Sequence, residues 1–248
     1  MRLLSGVLAV LLVLSLGLVT GSPAQSAVLA PTNAVNKTWT FGASVKGLPL
    51  KAYRIGDPTS TNVVVLIATM HGNESGPARI LHNLLAGPRI TGANIWVVPD
   101  LNPDGYVRNT RRNARGVDLN RNFPYDWRKP TSTNFSGPRP ASEPETRATM
   151  RFLNTVQPDY VISMHQPLFG VDTSYPKTRA LAGRLVTALE LPAKTFSCGT
   201  GCHGTLTQWF NVKWPGAALT VEYGRPMTDR QVYLTGPQGL LSAVGAAR

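Results

Sequence analysis

Four short apolar runs do most to limit what this chain can fold into. They occupy residues 63–68, 95–98, 160–163 and 217–221, and Val, Ile, Leu and Ala dominate them. Runs this short and this continuously apolar read as strands buried on both faces. The segments between them have helical spacing. Residues 75–85 place Ala78, Ile80, Leu81, Leu84 and Leu85 on one face. Residues 142–156 open on Ser142, Glu143, Pro144 and Glu145: a capping serine, early acids, and proline in the first turn. Residues 178–189 form a third helical stretch. Strand alternating with helix predicts an α/β fold, a three-layer sandwich with a mixed, mostly parallel sheet and helices on both faces. No internal repeat or low-complexity tract is present.

Each predicted strand runs into residues with chemical character. The first leads to His71, Gly72, Asn73 and Glu74, and the second to Asp100 and then Asn102, Pro103, Asp104 and Gly105. The third ends at His165 and the fourth at Glu222. Open α/β sheets build their sites at the carboxyl ends of strands, so topology alone draws two His and two Glu together. Residues 100–141 are rich in Asn, Pro, Gly and Arg and show no period. A long irregular segment inside a domain is usually functional.

His71 and Glu74 sit three apart in a strand-to-helix turn, and His165 can join them from another strand. Two His and one carboxylate leave a fourth position for water, the arrangement of catalytic zinc. The His-Glu-x-x-His helix motif is absent. His-x-x-Glu is common by chance, and a lone His is more often structural than a ligand. Of the four histidines, two follow predicted strands, while His82 lies inside a helix and reads as structural. The residues alone leave a metal site and structural histidines as equal alternatives.

Several segments taken together resemble the zinc carboxypeptidase family. They are His71-Gly72-Asn73-Glu74, Asn102-Pro103-Asp104-Gly105, the run from Gly116 through Val117, Asp118, Leu119, Asn120, Arg121, Asn122 and Phe123 to Pro124, then Ser142-Glu143-Pro144-Glu145, His165, and Leu219-Thr220-Val221-Glu222. They occur in the family's order across residues 45 to 235. The resemblance implies one Zn2+ ion held by His71, Glu74 and His165. It implies Glu222 as the carboxylate that moves protons between water and the leaving amine, and Arg111 as the cation facing the oxyanion, with Arg108 and Arg112 close by in register. Asn120 and Arg121 match the pair that grips a free substrate carboxylate, and Asp118 matches an acid that orients a ligating His. The family's digestive members carry a pro-domain and a mobile-loop tyrosine. Here the tyrosine position falls on Thr200, the nearest aromatic is Phe196, and His203 could donate a hydrogen bond instead. The base of the specificity pocket falls near Thr207. The wording and compact length are similar to the murein peptide amidase subset, which cleaves between γ-D-glutamate and a diamino acid. The alternatives are ordinary peptide C-termini, an N-acyl amino acid acylase, or a catalytically silent wall-binding protein.

The ends and the charge set the location. Met1-Arg2 precedes an apolar stretch and small residues, which reads as a signal peptide over 1–27, the alternative being an uncleaved anchor. Residues 28–37 read as a linker and 38–248 as a single catalytic domain. The chain is then secreted or wall-associated, without a membrane span once the signal is removed, and monomeric. Cys198 and Cys202 stand close enough for a loop disulfide. With 25 basic and 13 acidic residues the formal charge is +12. No nucleic-acid motif accompanies it, so nucleic acid is not an expected partner. The expected partner is a peptide or wall-peptide substrate, with adhesion to an anionic cell wall as the specific reading of the charge.

Overall fold

The computed structural model describes residues 34–131, 135–196 and 202–248. The expected signal peptide, Cys198 and Thr200 lie outside them. Strand β1 (Val35–Ala43) and strand β2 (Pro49–Gly56) form an antiparallel pair at one side of the sheet. Then follow β3 (Val63–Ile67), helix α1 (Gly76–Ala86), β4 (Asn94–Val98), the short helix α2 (Pro103–Val107), α3 (Pro144–Val156) and β5 (Tyr160–His165). The chain ends with β6 (Gly170–Asp172), α4 (Arg179–Leu189), β7 (Ala193–Lys194), α5 (Leu206–Lys213), β8 (Ala217–Glu222) and α6 (Gly236–Ala243). The eight strands form one sheet in the order β1-β2-β4-β3-β5-β8-β6-β7. Its centre, β4-β3-β5-β8, is parallel throughout.

The alternation of side chains across the strands builds two cores. Val64, Leu66, Ile95, Val97, Ile162, Met164, Leu219 and Val221 pack against α1, α4 and α6. Their neighbours Val65, Ile67, Trp96, Val98, Val161 and Ala218 pack against α3 and α5. Each central strand is therefore apolar on both faces, which is why its sequence is a continuous run and shows no two-residue period. The three-layer sandwich is as expected. Ser163 and His165 on β5, and Thr220 and Glu222 on β8, lie on the α3–α5 face by the same alternation, at the end where the apolar residues stop.

Two sequence expectations are corrected. The linker over 28–37 gives way at Ala34, which is buried, and at Val35, Asn36 and Lys37, which belong to β1. That strand escaped notice because its residues are mostly exposed and it sits at the sheet edge. Ser142 does not cap α3. The cap position is Glu143, with no side-chain cap bond. Ser142 instead donates to the Glu143 carboxylate at 2.7 Å, and Asn122 accepts from the Glu143 N–H at 3.1 Å. The two acids of this segment face inward: both accept from Asn113, and Glu145 also accepts from the Val45 N–H at 3.1 Å. The motif ties the loop before α3 to the segment that carries the site.

Phe152 of α3 is buried among Phe41, Trp39 and Trp96, with ring centroids 4.8 to 5.9 Å away. Replacing it with alanine removes a ring that the sheet edge cannot collapse to fill. Phe152→Ala should lower the unfolding free energy by about 3–5 kcal/mol in a denaturant titration, and a loss below about 1 kcal/mol would contradict this packing.

Candidate active site and metal centre

The chain leaves β3 through Thr69, which is fully buried and in the left-handed region at φ 54°. This reversal swings His71 and Glu74 over the carboxyl edge of the sheet. Gly72 lets that turn settle: a Cβ there would fall 2.0 Å from the Gly105 carbonyl carbon. A Cβ on Gly105 would in turn meet the Asn102 amide at 2.5 Å. Asn102 caps α2 by accepting from the Gly105 N–H at 2.9 Å, and its amide donates to Met70 and Arg111 carbonyls. His-Gly-Asn-Glu and Asn-Pro-Asp-Gly are thus two halves of one docked pair of turns.

Three ligand atoms converge above this pair. Glu74 Oε2 is 2.9 Å from both His71 Nδ1 and His165 Nδ1, and the two nitrogens are 3.1 Å apart. Ligands of tetrahedral zinc at 2.0–2.1 Å lie roughly 3.3 Å from one another, so the spacing fits. The far nitrogens are fixed as well. His71 Nε2 faces Asp118 Oδ1 at 3.1 Å, and His165 Nε2 faces the Ser163 hydroxyl at 2.9 Å. With Nε2 committed outward, each Nδ1 lone pair points at the shared centre. All three ligands are buried. Burial opposes a charged His71, yet Asp118 and Glu74 outweigh it and raise its pKa. Burial also opposes ionisation of Glu74, but hydrogen bonds to His165 and His71 hold its carboxyl well below the usual range. A place that favours positive charge between ionised acids suits a dication. Among the described residues this is the only such group of three.

The rest of the cleft, about 400 Å³, gathers most of the expected residues. Arg111 is held by Glu74 at 3.1 Å and Asp118 at 3.0 Å, with its side chain 42 % exposed. Neither nearby arginine lines the cleft. Arg108 donates to the Asp104 carbonyl, and Arg112 lies over the Phe135 ring. Asn120 accepts from the Leu206 N–H at 3.0 Å through Oδ1 and lines the cleft. Arg121 is half-buried beside it. Glu222 pairs in register with His165 across β5 and β8 and accepts from the Leu168 N–H at 3.2 Å. Burial pushes its carboxyl above the usual range, partly opposed by His165.

Thr207, expected near the base of the pocket, lines the cleft, and so does Phe196. His203 does not: its Nδ1 contacts Asp126 at 2.6 Å, and the ring lies outside the cleft lining. His82 is exposed on α1, where it serves no core. Cys202 is disulfide-bonded and borders the cleft. Gln166, Asp172, Tyr175, Thr205 and Gln208 also line it, and the sequence signalled none of them. Gln166 directly follows β5, and the others come from β6, the loop after it and the start of α5, segments too short or irregular to leave a period.

Comparison with known proteins matches residues 30–176 to the zinc carboxypeptidase family. Murein peptide amidase A of Escherichia coli K12 is 32 % identical over 183 residues, 68 % of this chain and 74 % of that protein. The crystal structure of a murein-tripeptide amidase from Escherichia coli O157 superposes with a TM-score of 0.70 at 27 % identity, covering 84 % of this chain and 92 % of the other. The carboxypeptidase N catalytic chain of Rattus norvegicus is 29 % identical over 191 residues, 60 % of this chain and 41 % of its own length.

Two substitutions test the metal centre by chelator competition. Asp118→Ala, which frees the His71 ring, should weaken zinc binding by about 10–100-fold. His165→Ala should retain no stoichiometric zinc, and retention of one ion would dismiss this ligand set.

Proposed function

The chain belongs to the zinc carboxypeptidase family and is a zinc metallopeptidase, and on that premise we propose that it hydrolyses an amide bond whose amine side bears a free carboxylate, namely the bond between γ-D-glutamate and a diamino acid in cell-wall peptides. The observation that carries the reading is the placement of half-buried Arg121 beside Asn120 in the same cleft as the His71–Glu74–His165 group and Glu222. A planar guanidinium in a recess suits a carboxylate bidentately. The likeness to proteins named murein peptide amidase supports the wall-peptide half of the proposal. The likeness to the carboxypeptidase N chain supports ordinary peptide C-termini as the second reading.

The residues divide the work. His71, Glu74 and His165 would hold the zinc ion, which would supply polarisation of water and of the scissile carbonyl. Arg121 and Asn120 hold the terminal carboxylate and so fix the position of the scissile bond. Arg111, braced by Glu74 and Asp118, presents fixed donors to the carbonyl oxygen as it gains charge. Glu222 takes a proton from the attacking water and returns it to the amine nitrogen as the C–N bond breaks. Its raised pKa brings it closer to the range in which one carboxyl both accepts and gives up a proton near neutral pH. Export through residues 1–27 belongs to the same proposal, since wall peptides lie outside the membrane. Among the described residues no helix is long and apolar enough to cross a membrane.

Glu222→Ala should lower kcat by about 10²–10⁴-fold while zinc content stays at one ion. Full activity in that variant would remove the mechanism. Mass spectrometry of wall peptides and linear peptides after incubation decides the substrate. Release of a diamino acid from γ-D-glutamyl peptides is expected, and trimming of ordinary C-termini with wall peptides intact would reject the wall reading. N-terminal sequencing of the mature protein should begin between residues 25 and 30.

A further inference from the structure

Among the described residues three carboxylates face the cleft: Glu74, Glu222 and Asp172. The first two belong to the machinery above. Asp172 does not, and it is only 7 % exposed. Its Oδ1 accepts from the Ser174 N–H at 2.9 Å and from the Ser174 hydroxyl. No cationic side chain pairs with it among the described residues. A carboxylate buried without a counter-charge is costly. Two neutral donors on one oxygen lower that cost and leave the other oxygen with its full acceptor capacity.

The sheet register says where this charge stands. Gly170 and Val171 of β6 pair with Glu222 and Val221 of β8. One step further along the ladder brings Asp172 beside Thr220, which also lines the cleft. Residues on one face of a strand are about 6.8 Å apart, so Asp172 stands roughly one side-chain row from Glu222. The neighbouring wall from α5 offers Thr205, Thr207 and Gln208, which are dipoles without charge.

We propose that Asp172 is a specificity residue that pairs with an ammonium group on the side chain of the substrate residue whose carboxylate Arg121 holds, so that the released residue is a diamino acid. The inference rests on the cleft being used as set out under Proposed function. The substrate carboxylate then meets Arg121 and Asn120, its scissile bond lies by Glu222 and the metal group, and its side chain runs along the Thr205–Thr207 wall to Asp172. One row of the sheet is a span that an extended side chain of four methylenes can bridge. Thr207 shapes the wall of this pocket, and the charge that discriminates comes from the opposite side, on β6.

Calorimetric titration of the zinc-loaded protein with free amino acids tests this without turnover. L-lysine and meso-diaminopimelate should bind about tenfold to hundredfold more tightly than L-norleucine. Nε-acetyl-L-lysine, which keeps the length and loses the charge, should bind no better than norleucine. Asp172→Asn, which keeps an acceptor for Ser174, should erase the preference. If that variant fails to hold zinc, the comparison of lysine with its acetylated form on the wild type decides alone. Equal wild-type binding of lysine, acetyl-lysine and norleucine overturns the proposal, as does an unchanged preference in a zinc-loaded Asp172→Asn. Tighter binding of diaminopimelate than of lysine identifies the wall diamino acid as the ligand, and parity identifies any basic residue. Preference for lysine in a protein that hydrolyses none of the amides would retain Asp172 and remove the proposed reaction. Hydrolysis without that preference would do the reverse.

Discussion

The turn that carries His71 and Glu74 lies against the turn of Asn102 to Gly105 so closely that Gly72 has no room for a Cβ. The rest of the site depends on this contact. It places two of the three ligand side chains over the sheet edge, and through the Asn102 amide and the Gly72 N–H it also fixes the Arg111 carbonyl. Arg111 then reaches back to Glu74 and to Asp118, and Asp118 reaches the far nitrogen of His71. The loop is closed on itself, so the geometry of the His71–Glu74 pair and the position of Arg111 are set by the same few bonds. A shift of one turn by a methyl group would move both.

The opposite wall of the site is set by register. His165 and Glu222 are paired neighbours at the ends of β5 and β8, and their side chains emerge on one face because each follows the alternation of its strand. A slip of one residue in either strand would send its side chain to the other face of the sheet. The sheet therefore delivers a ligand and a carboxylate side by side. Beyond them, Arg121 and Asp172 provide opposite charges within one cleft. A cleft with separate places for an anion and a cation suits a substrate residue that carries both.

The buried acids outside the catalytic group hold the frame. Glu143 and Glu145 grip Asn113 and thereby fix the loop between Arg111 and Asp118. Asp104 and Glu145 accept from the N–H groups of Lys46 and Val45 and pin the turn between β1 and β2 to the same region. Segments that look catalytic in the sequence because they are polar and dense are here the scaffold for their neighbours.

The sequence by itself determined the layered α/β architecture, since apolar runs at strand length and helical spacing between them are local signals. By chain order it also sent His71, Glu74, His165 and Glu222 to the sheet edge, but the residues alone left a metal site and structural histidines as equal alternatives, and only the family resemblance gave them roles. It could not determine β1, whose exposed residues carry little pattern, or the role of Ser142, whose capping look is overridden by Asn122 and Glu143. His203 and Asp172 are decided by tertiary structure alone. His203 turns to Asp126 because two loops far apart in sequence meet there. Asp172 enters the cleft because a strand of three residues, too short to show a period, pairs with β8. Which side chains share a pocket is a question of long-range pairing, and no spacing within one segment encodes it.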